Sequence, residues 1–262
     1  MKRFNKSQFV WFLILAGFTI YFSYLIKTGK INSFLHPRMV KYTMASICGL
    51  IILMFGQFKR IFEISRNNKL KIGYILFFIP IILGFTAKGF APSIASDKGV
   101  TLSSTNNTTA NISNNTNANS TDSFQESLVA QRKNYIENGV AVFEDPTYYK
   151  LLDDISSNLN YYKGKKVEIT GFVFKDKSFD KNQFVIARMM MTCCAVDAQV
   201  VGIMAQYDGA EALDKSEWVK IEGKIDTTMF KGSDSNKAEE MPLIIVEKIE
   251  PNQKPGSQYI YP

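Results

Sequence analysis

Three apolar runs occupy most of the first ninety residues, at 9–26, 42–58 and 72–90, and each approaches the ~20 residues that a helix needs to cross a hydrocarbon core. They predict two to three N-terminal transmembrane helices. Residues 92–122 then change character, to Ser, Thr and Asn with almost no large apolar side chain. A segment of that kind buries too little surface to offset its ordering entropy, so it reads as a disordered tether. Helical periodicity resumes at Ser123, which with Glu126 forms a capping box for a helix carrying Phe124, Leu128, Val129 and Ile136 and ending near Gly139. A second helix is expected after Asp145 as cap and Pro146 at the first helical position. Its apolar face is Tyr148, Leu151, Leu152, Ile155 and Leu159.

From Lys166 the period shortens to two. "KVEITGFVF" places Val167, Ile169, Gly171 and Val173 on one face, and "QFVIARMMM", "AQVVGIMAQY", "EWVKIEGKI" and "PLIIVEKIE" supply four more strands. Five short strands without intervening βαβ units indicate a small antiparallel barrel or sandwich. "VEITG" echoes in "VKIEG", and the glycines that close the two segments, Gly171 and Gly223, mark the bends a small barrel requires. The expected fold is a membrane-anchored α+β chain, in which a helix and an OB-like β-barrel over residues 123–262 follow the transmembrane region of residues 1–91.

Charge divides the chain at the same place. Residues 1–91 hold thirteen Lys and Arg against one acid, Glu63, a net charge of +12, whereas residues 92–262 have a net charge of −5. The first run carries a basic start but no small-residue cleavage motif, and further apolar runs follow it, so it reads as a retained anchor and not a signal peptide. Basic flanks set orientation: Lys2, Arg3, Lys6, Lys59, Arg60, Arg66, Lys69 and Lys71 would lie inside, against Lys27, Lys30, Arg38 and Lys41 outside. Three spans then put the C-terminal domain on the extracytoplasmic side of a multi-pass cell-membrane protein, and two spans reverse it. Lys41 and Lys88 read as snorkelling anchors in contact with membrane lipid, Cys48 as a packing residue and Pro80 as a kink. The acidic balance of the soluble half argues against nucleic acid as a partner, because phosphates demand a basic groove.

The candidate chemistry lies in "ARMMMTCCAVDAQVVGI". If the strand continues, Met189, Met191 and Cys193 share a core face, Cys193 and Cys194 diverge, and Arg188 is exposed or paired. If the strand ends near Thr192 and a helical turn begins, Asp197, four residues after Cys193 and three after Cys194, falls on one face with both thiols and could ligate a soft or transition metal ion with Cys193 and Cys194. A closed structural zinc site takes four protein ligands, and the one histidine, His36, stands far off in the sequence, between the first two apolar runs. Core packing, metal or metalloid contact and a labile redox pair all stay open on these residues. No hydrolytic catalytic set is present, since the soluble half holds no histidine.

Taken in order, the apolar spans, the polar tether, "DDISSNLNYYKGKKVEITGFVF", "FVIARMMMTCCAVDAQVVGI", "WVKIEGKI" and the closing "YIYP" resemble the bacterial YcgQ-like predicted permease subunits. The resemblance implies an accessory subunit that works beside a separate multi-spanning permease, and it marks Arg188, Cys193, Cys194 and Asp197 as motif positions without assigning them a chemistry. The expected function is therefore accessory to membrane transport and not enzymatic, with the Cys193 to Asp197 turn contacting either a metal or metalloid or the permease. The alternatives are a membrane-tethered thiol redox relay and a structural membrane-anchored binding module.

Overall fold

The computed structural model describes residues 5–61, 75–86, 100–102, 135–231, 238–252, 257 and 259–262. The chain divides into two compact units, Met1–Ala91 with Cys193–Asp197, and Pro92–Thr192 with Ala198–Pro262.

In the first unit, α1 (Lys6–Lys27) and α2 (Val40–Arg60) are antiparallel neighbours joined by a short loop with two 3₁₀ turns, Lys30–Ser33 and Pro37–Met39. Asn5 caps α1 by accepting the Gln8 N–H, and no acid or base lies between the first residue of the helix, Lys6, and its last, Lys27. Both helices are long and apolar enough to cross a membrane. Phe12 of α1 meets Phe58 of α2, and Gln8 and Gln57 hydrogen-bond between the helices. The third run is described as α3 (Ile75–Thr86), twelve residues with Pro80 inside. At 1.5 Å per residue that piece is about 18 Å long, shorter than a ~30 Å crossing, and the rest of the run lies outside the described residues. Cys48 is exposed on α2, so the packing role expected for it is not realised among the described residues.

The second unit is a mixed nine-stranded sheet. Its strands are β1 (Val100–Leu102), β2 (Ile136–Glu137), β3 (Val140–Val142), β4 (Lys166–Phe174), β5 (Gln183–Met190), β6 (Gln199–Gln206), β7 (Trp218–Phe230), β8 (Glu239–Pro251) and β9 (Tyr259–Ile260). Helix α4 (Tyr148–Ser157) and the single turn α5 (Leu159–Tyr162) come between β3 and β4. β4 pairs antiparallel with both β7 and β5, β5 with β6, and β7 with β8, while β6 and β8 run parallel. Tyr148, Leu151, Leu152 and Ile155 of α4 pack into one core with Val167, Ile169, Phe184, Ile186, Val201, Ile203, Val219 and Ile221. These are the alternating positions that the sequence pattern places on one face of each strand.

Three expectations are corrected here. Ile136 is not helical: it lies in β2, and Asn138 and Gly139, at φ 50° and 83°, turn the chain into β3 as an Asn-Gly hairpin. The capping box at Ser123 and Glu126 lies outside the described residues. Within the tether, Val100–Leu102 adds β1 in parallel to β6. Asp145 does not cap α4, whose N-cap is Thr147 without a side-chain bond. Its carboxylate instead meets Arg188 at 2.7 Å.

Two of the five strands owe their course to the predicted glycines. A Cβ on Gly171 would lie 2.6 Å from the Ala187 carbonyl oxygen, and one on Gly223 only 2.2 Å from that of Ile245. Gly223 also sits at the register shift between β7 and β8, a bulge at the echo position.

Candidate functional site

The strand ends before the cysteines. β5 stops at Met190, and residues 193–197 form a turn that leads to β6. Asp197 builds it. Its N–H donates to the Cys194 carbonyl at 3.1 Å, and its carboxylate accepts the Cys193 N–H on Oδ2 at 2.7 Å and the Cys194 N–H on Oδ1 at 3.2 Å. A short carboxylate that folds back on two preceding amides competes with strand pairing and closes the chain on itself. The chain turns, though not as the helical turn expected, and the thiols converge: Cys193 Sγ lies 3.6 Å from Cys194 Sγ. The two sulfurs and an Asp197 oxygen all fall within 4.8 Å of one another. Met191, by contrast, is fully buried, and Met189 is nearly so, as the alternating pattern requires of core residues.

The loop between α1 and α2 holds this turn. His36 donates its backbone N–H to the Cys193 carbonyl at 3.0 Å, Ala195 donates to the Phe34 carbonyl at 2.9 Å, and Leu35 and Cys194 form an antiparallel bridge. The sequence leaves His36 distant from the cysteines, and this pairing brings its backbone beside them. Its ring serves another purpose: Nδ1 accepts the Arg38 N–H at 2.9 Å and caps the 3₁₀ turn that opens with Pro37. The His36 ring is not among the donor atoms that gather. Nothing in the sequence pointed to the backbone pairing, which joins residues about 160 positions apart.

The two thiols are electrostatically unlike. Hydrogen bonding to Asp197 and to Cys194, with the carboxylate charge nearby, pushes the Cys193 thiol up to about 12. Cys194 is held below its ordinary range by hydrogen bonds from the Val196 backbone, Cys193 and the Asp197 backbone. Burial and the Arg38 charge lower His36, and the Asp197 charge opposes them. Since the thiolate is the nucleophile, limited iodoacetamide at pH 8 is expected to alkylate Cys194 well before Cys193. Peptide mapping by mass spectrometry checks this, and equal labelling would contradict the assignment.

Arg188 is placed elsewhere. It is 2% exposed, sits between the rings of Tyr148 and Trp218 at 5.5 and 5.4 Å, and donates to Asp145 and to the Ser257 carbonyl. This motif position anchors the soluble core; its nearest partners are not the thiols. The reading "exposed or paired" resolves as buried and paired.

Apolar helices are followed by a small mixed-sheet domain, and among the described residues candidate metal donors gather on a Cys-Cys-x-x-Asp turn. The chain belongs to the DUF1980 family: residues 10–101 match the DUF1980 N-terminal domain and residues 118–262 the DUF1980 C-terminal domain. It is 20% identical over 282 residues to the UPF0703 protein YcgQ of Bacillus subtilis (strain 168), covering 95% of this chain and 98% of that protein. A protein of Streptococcus mutans serotype c (strain ATCC 700610 / UA159), described as "Putative two-component membrane permease complex subunit", is 21% identical over 273 residues, with the same coverage of 95% and 98%. The resemblance drawn from the ordered motifs thus extends over nearly the whole chain. Among solved structures, the mitochondrial single-stranded DNA-binding protein Rim1 of S. cerevisiae aligns with 36% of this chain and 99% of its own, at 13% identity and TM-score 0.23. A small single-stranded DNA-binding protein of Streptomyces coelicolor aligns with 34% and 94%, at 8% identity and TM-score 0.23.

Proposed function

We propose that this chain is the accessory subunit of a two-component membrane permease complex, and that it contacts a metal or metalloid ion through Cys193, Cys194 and Asp197. The observation that carries the ion contact is the gathering of two sulfurs and a carboxylate oxygen on an exposed turn, where an ion can arrive and leave. The Streptococcus relative's description supports the subunit role, and two helices fit for a membrane agree with it. In this reading all three apolar runs span, which makes a multi-pass anchor and puts the soluble domain on the extracytoplasmic side, and the ring β4-β7-β8-β6-β5 is a closed OB-like barrel. The chain performs no catalytic step of its own.

The test is affinity purification of the tagged full-length chain from its native membranes in mild detergent. A multi-spanning permease is expected to copurify at a fixed ratio; a chain recovered without one would contradict the subunit role. On intact cells, a membrane-impermeant maleimide should label the reduced turn, and labelling only after lysis would place the domain on the other side.

A further inference from the structure

We propose that the turn selects a tetrahedral divalent ion of the Zn²⁺ class, holding it by Cys193 Sγ, Cys194 Sγ and one Asp197 oxygen and leaving the fourth position open to an external ligand. This rests on the ion contact argued above and narrows it. The spacing of the two sulfurs selects the geometry. With zinc–sulfur bonds of about 2.3 Å, two thiolates on a tetrahedral ion stand about 3.8 Å apart, whereas a linear two-coordinate ion places its thiolates directly opposite each other and farther apart. The sulfurs here are 3.6 Å apart. They belong to adjacent residues whose amides are both clamped by the same carboxylate, and the Cys193 carbonyl is held by His36. A linear Cu⁺ requires the two thiols to rotate apart to opposite sides of the ion, whereas a tetrahedral ion needs a change of only a few tenths of an ångström from the spacing present.

The third donor agrees with this choice. A carboxylate oxygen beside two thiolates suits a borderline divalent ion, while a soft monovalent one favours sulfur alone. On a tetrahedral ion a sulfur and an oxygen ligand lie about 3.5 Å apart, so donors already within 4.8 Å need to close by little more than an ångström. The carboxylate also accepts from the Cys193 thiol, and loss of that proton on binding releases the acceptor site to the ion. Binding turns two thiols into thiolates, with their protons passing to solvent, and forms two metal–sulfur bonds and one metal–oxygen bond. No oxidant or reductant is required.

Among the described residues no fourth donor joins the group. His36 approaches by its backbone, and its Nδ1 holds the Arg38 N–H. Three protein ligands with one open position is the arrangement of zinc sites that exchange a ligand, and four closes a structural site. Such a site gives up its ion to an incoming ligand by associative exchange, which suits a subunit that passes an ion on.

The test uses full-length protein in detergent, reduced and with its thiols counted, titrated with Co²⁺, Zn²⁺ and Cu⁺. One Co²⁺ per chain is expected, with the intense visible bands of a tetrahedral ion, thiolate-to-cobalt charge transfer in the near ultraviolet, and displacement by Zn²⁺. Imidazole added to the cobalt form should shift the visible bands by entering the fourth position. Cys193→Ser and Cys194→Ser should each weaken the charge transfer and lower affinity at least tenfold. His36→Ala should leave the cobalt spectrum unchanged. Stoichiometric Cu⁺ binding without Zn²⁺ or Co²⁺ binding would overturn this inference and leave ion contact standing. So would the faint spectrum of a six-coordinate ion, or visible bands indifferent to imidazole. Failure of all three ions to bind a chain with intact thiols would instead overturn the ion contact itself.

Discussion

Gly223→Ala is expected to cost about 3 kcal/mol, at the upper end of what overpacking does, and to lower the melting temperature of the soluble domain by roughly 6–12 °C. The added Cβ would lie 2.2 Å from the Ile245 carbonyl oxygen and 3.0 Å from Ile244 Cγ2. The first neighbour is backbone in the paired strand, so no rotamer change can relieve the contact. The strands must separate at the bulge, and the ladder between β7 and β8 loses hydrogen bonds on both sides of it. Gly139→Ala makes the comparison. That glycine has φ 83° and open space around it, so alanine there pays only for a left-handed backbone, about 1 kcal/mol. Thermal melts of the full-length protein in detergent, followed by near-ultraviolet circular dichroism, measure both. Equal shifts would mean that the close approach at Gly223 relaxes freely.

Asp145→Ala is expected to be as damaging, for an electrostatic reason. The Arg188 guanidinium is 2% exposed and has one carboxylate partner, at 2.7 Å. Removing that partner strands a buried cation, which costs 3–5 kcal/mol as a rule of magnitude. The Asp145 side chain is 42% exposed, so water relieves part of the loss and about 3 kcal/mol is the expected value. The surroundings offer little else: Arg188 Nε and the Tyr148 hydroxyl are already buried without a hydrogen-bond partner. Arg188→Met should cost less, about 1–2 kcal/mol, because it removes the charge along with the partner's purpose and still fills the space between Tyr148 and Trp218. The same melts read both variants. A larger loss for Arg188→Met than for Asp145→Ala would show that stacking on the two rings, and not charge compensation, is what the arginine supplies.

Much of the second unit was legible in the residues. β4 runs over the nine residues that alternate in "KVEITGFVF", and the other four strands begin or end within a few residues of their apolar runs, except that β7 continues to Phe230. A half-buried strand has to alternate, so its pattern survives whatever it packs against. The α4 helix was legible for the same reason, through its face of Tyr148, Leu151, Leu152 and Ile155. Short elements were not. An Asn-Gly turn at 138–139 was open to reading, but the capping box upstream pointed to a helix. The sequence also made Asp145 a good helix cap, and a buried guanidinium outbids an exposed amide for a carboxylate.

By itself, then, the sequence determined the two-part chain, the apolar helices, the strands with their core faces, the special positions of Gly171 and Gly223, and the small set of atoms that could do chemistry. It left the state of Cys193 and Cys194 undecided, because strand and turn are both compatible with "TCCAVD". Tertiary structure decided it. Asp197 closes the turn on two amides, and the loop at Phe34–His36, about 160 residues away in the chain, holds it by backbone hydrogen bonds. Backbone pairing between distant segments carries no side-chain pattern, so no periodicity or spacing could reveal it. In that turn the sulfurs lie 3.6 Å apart.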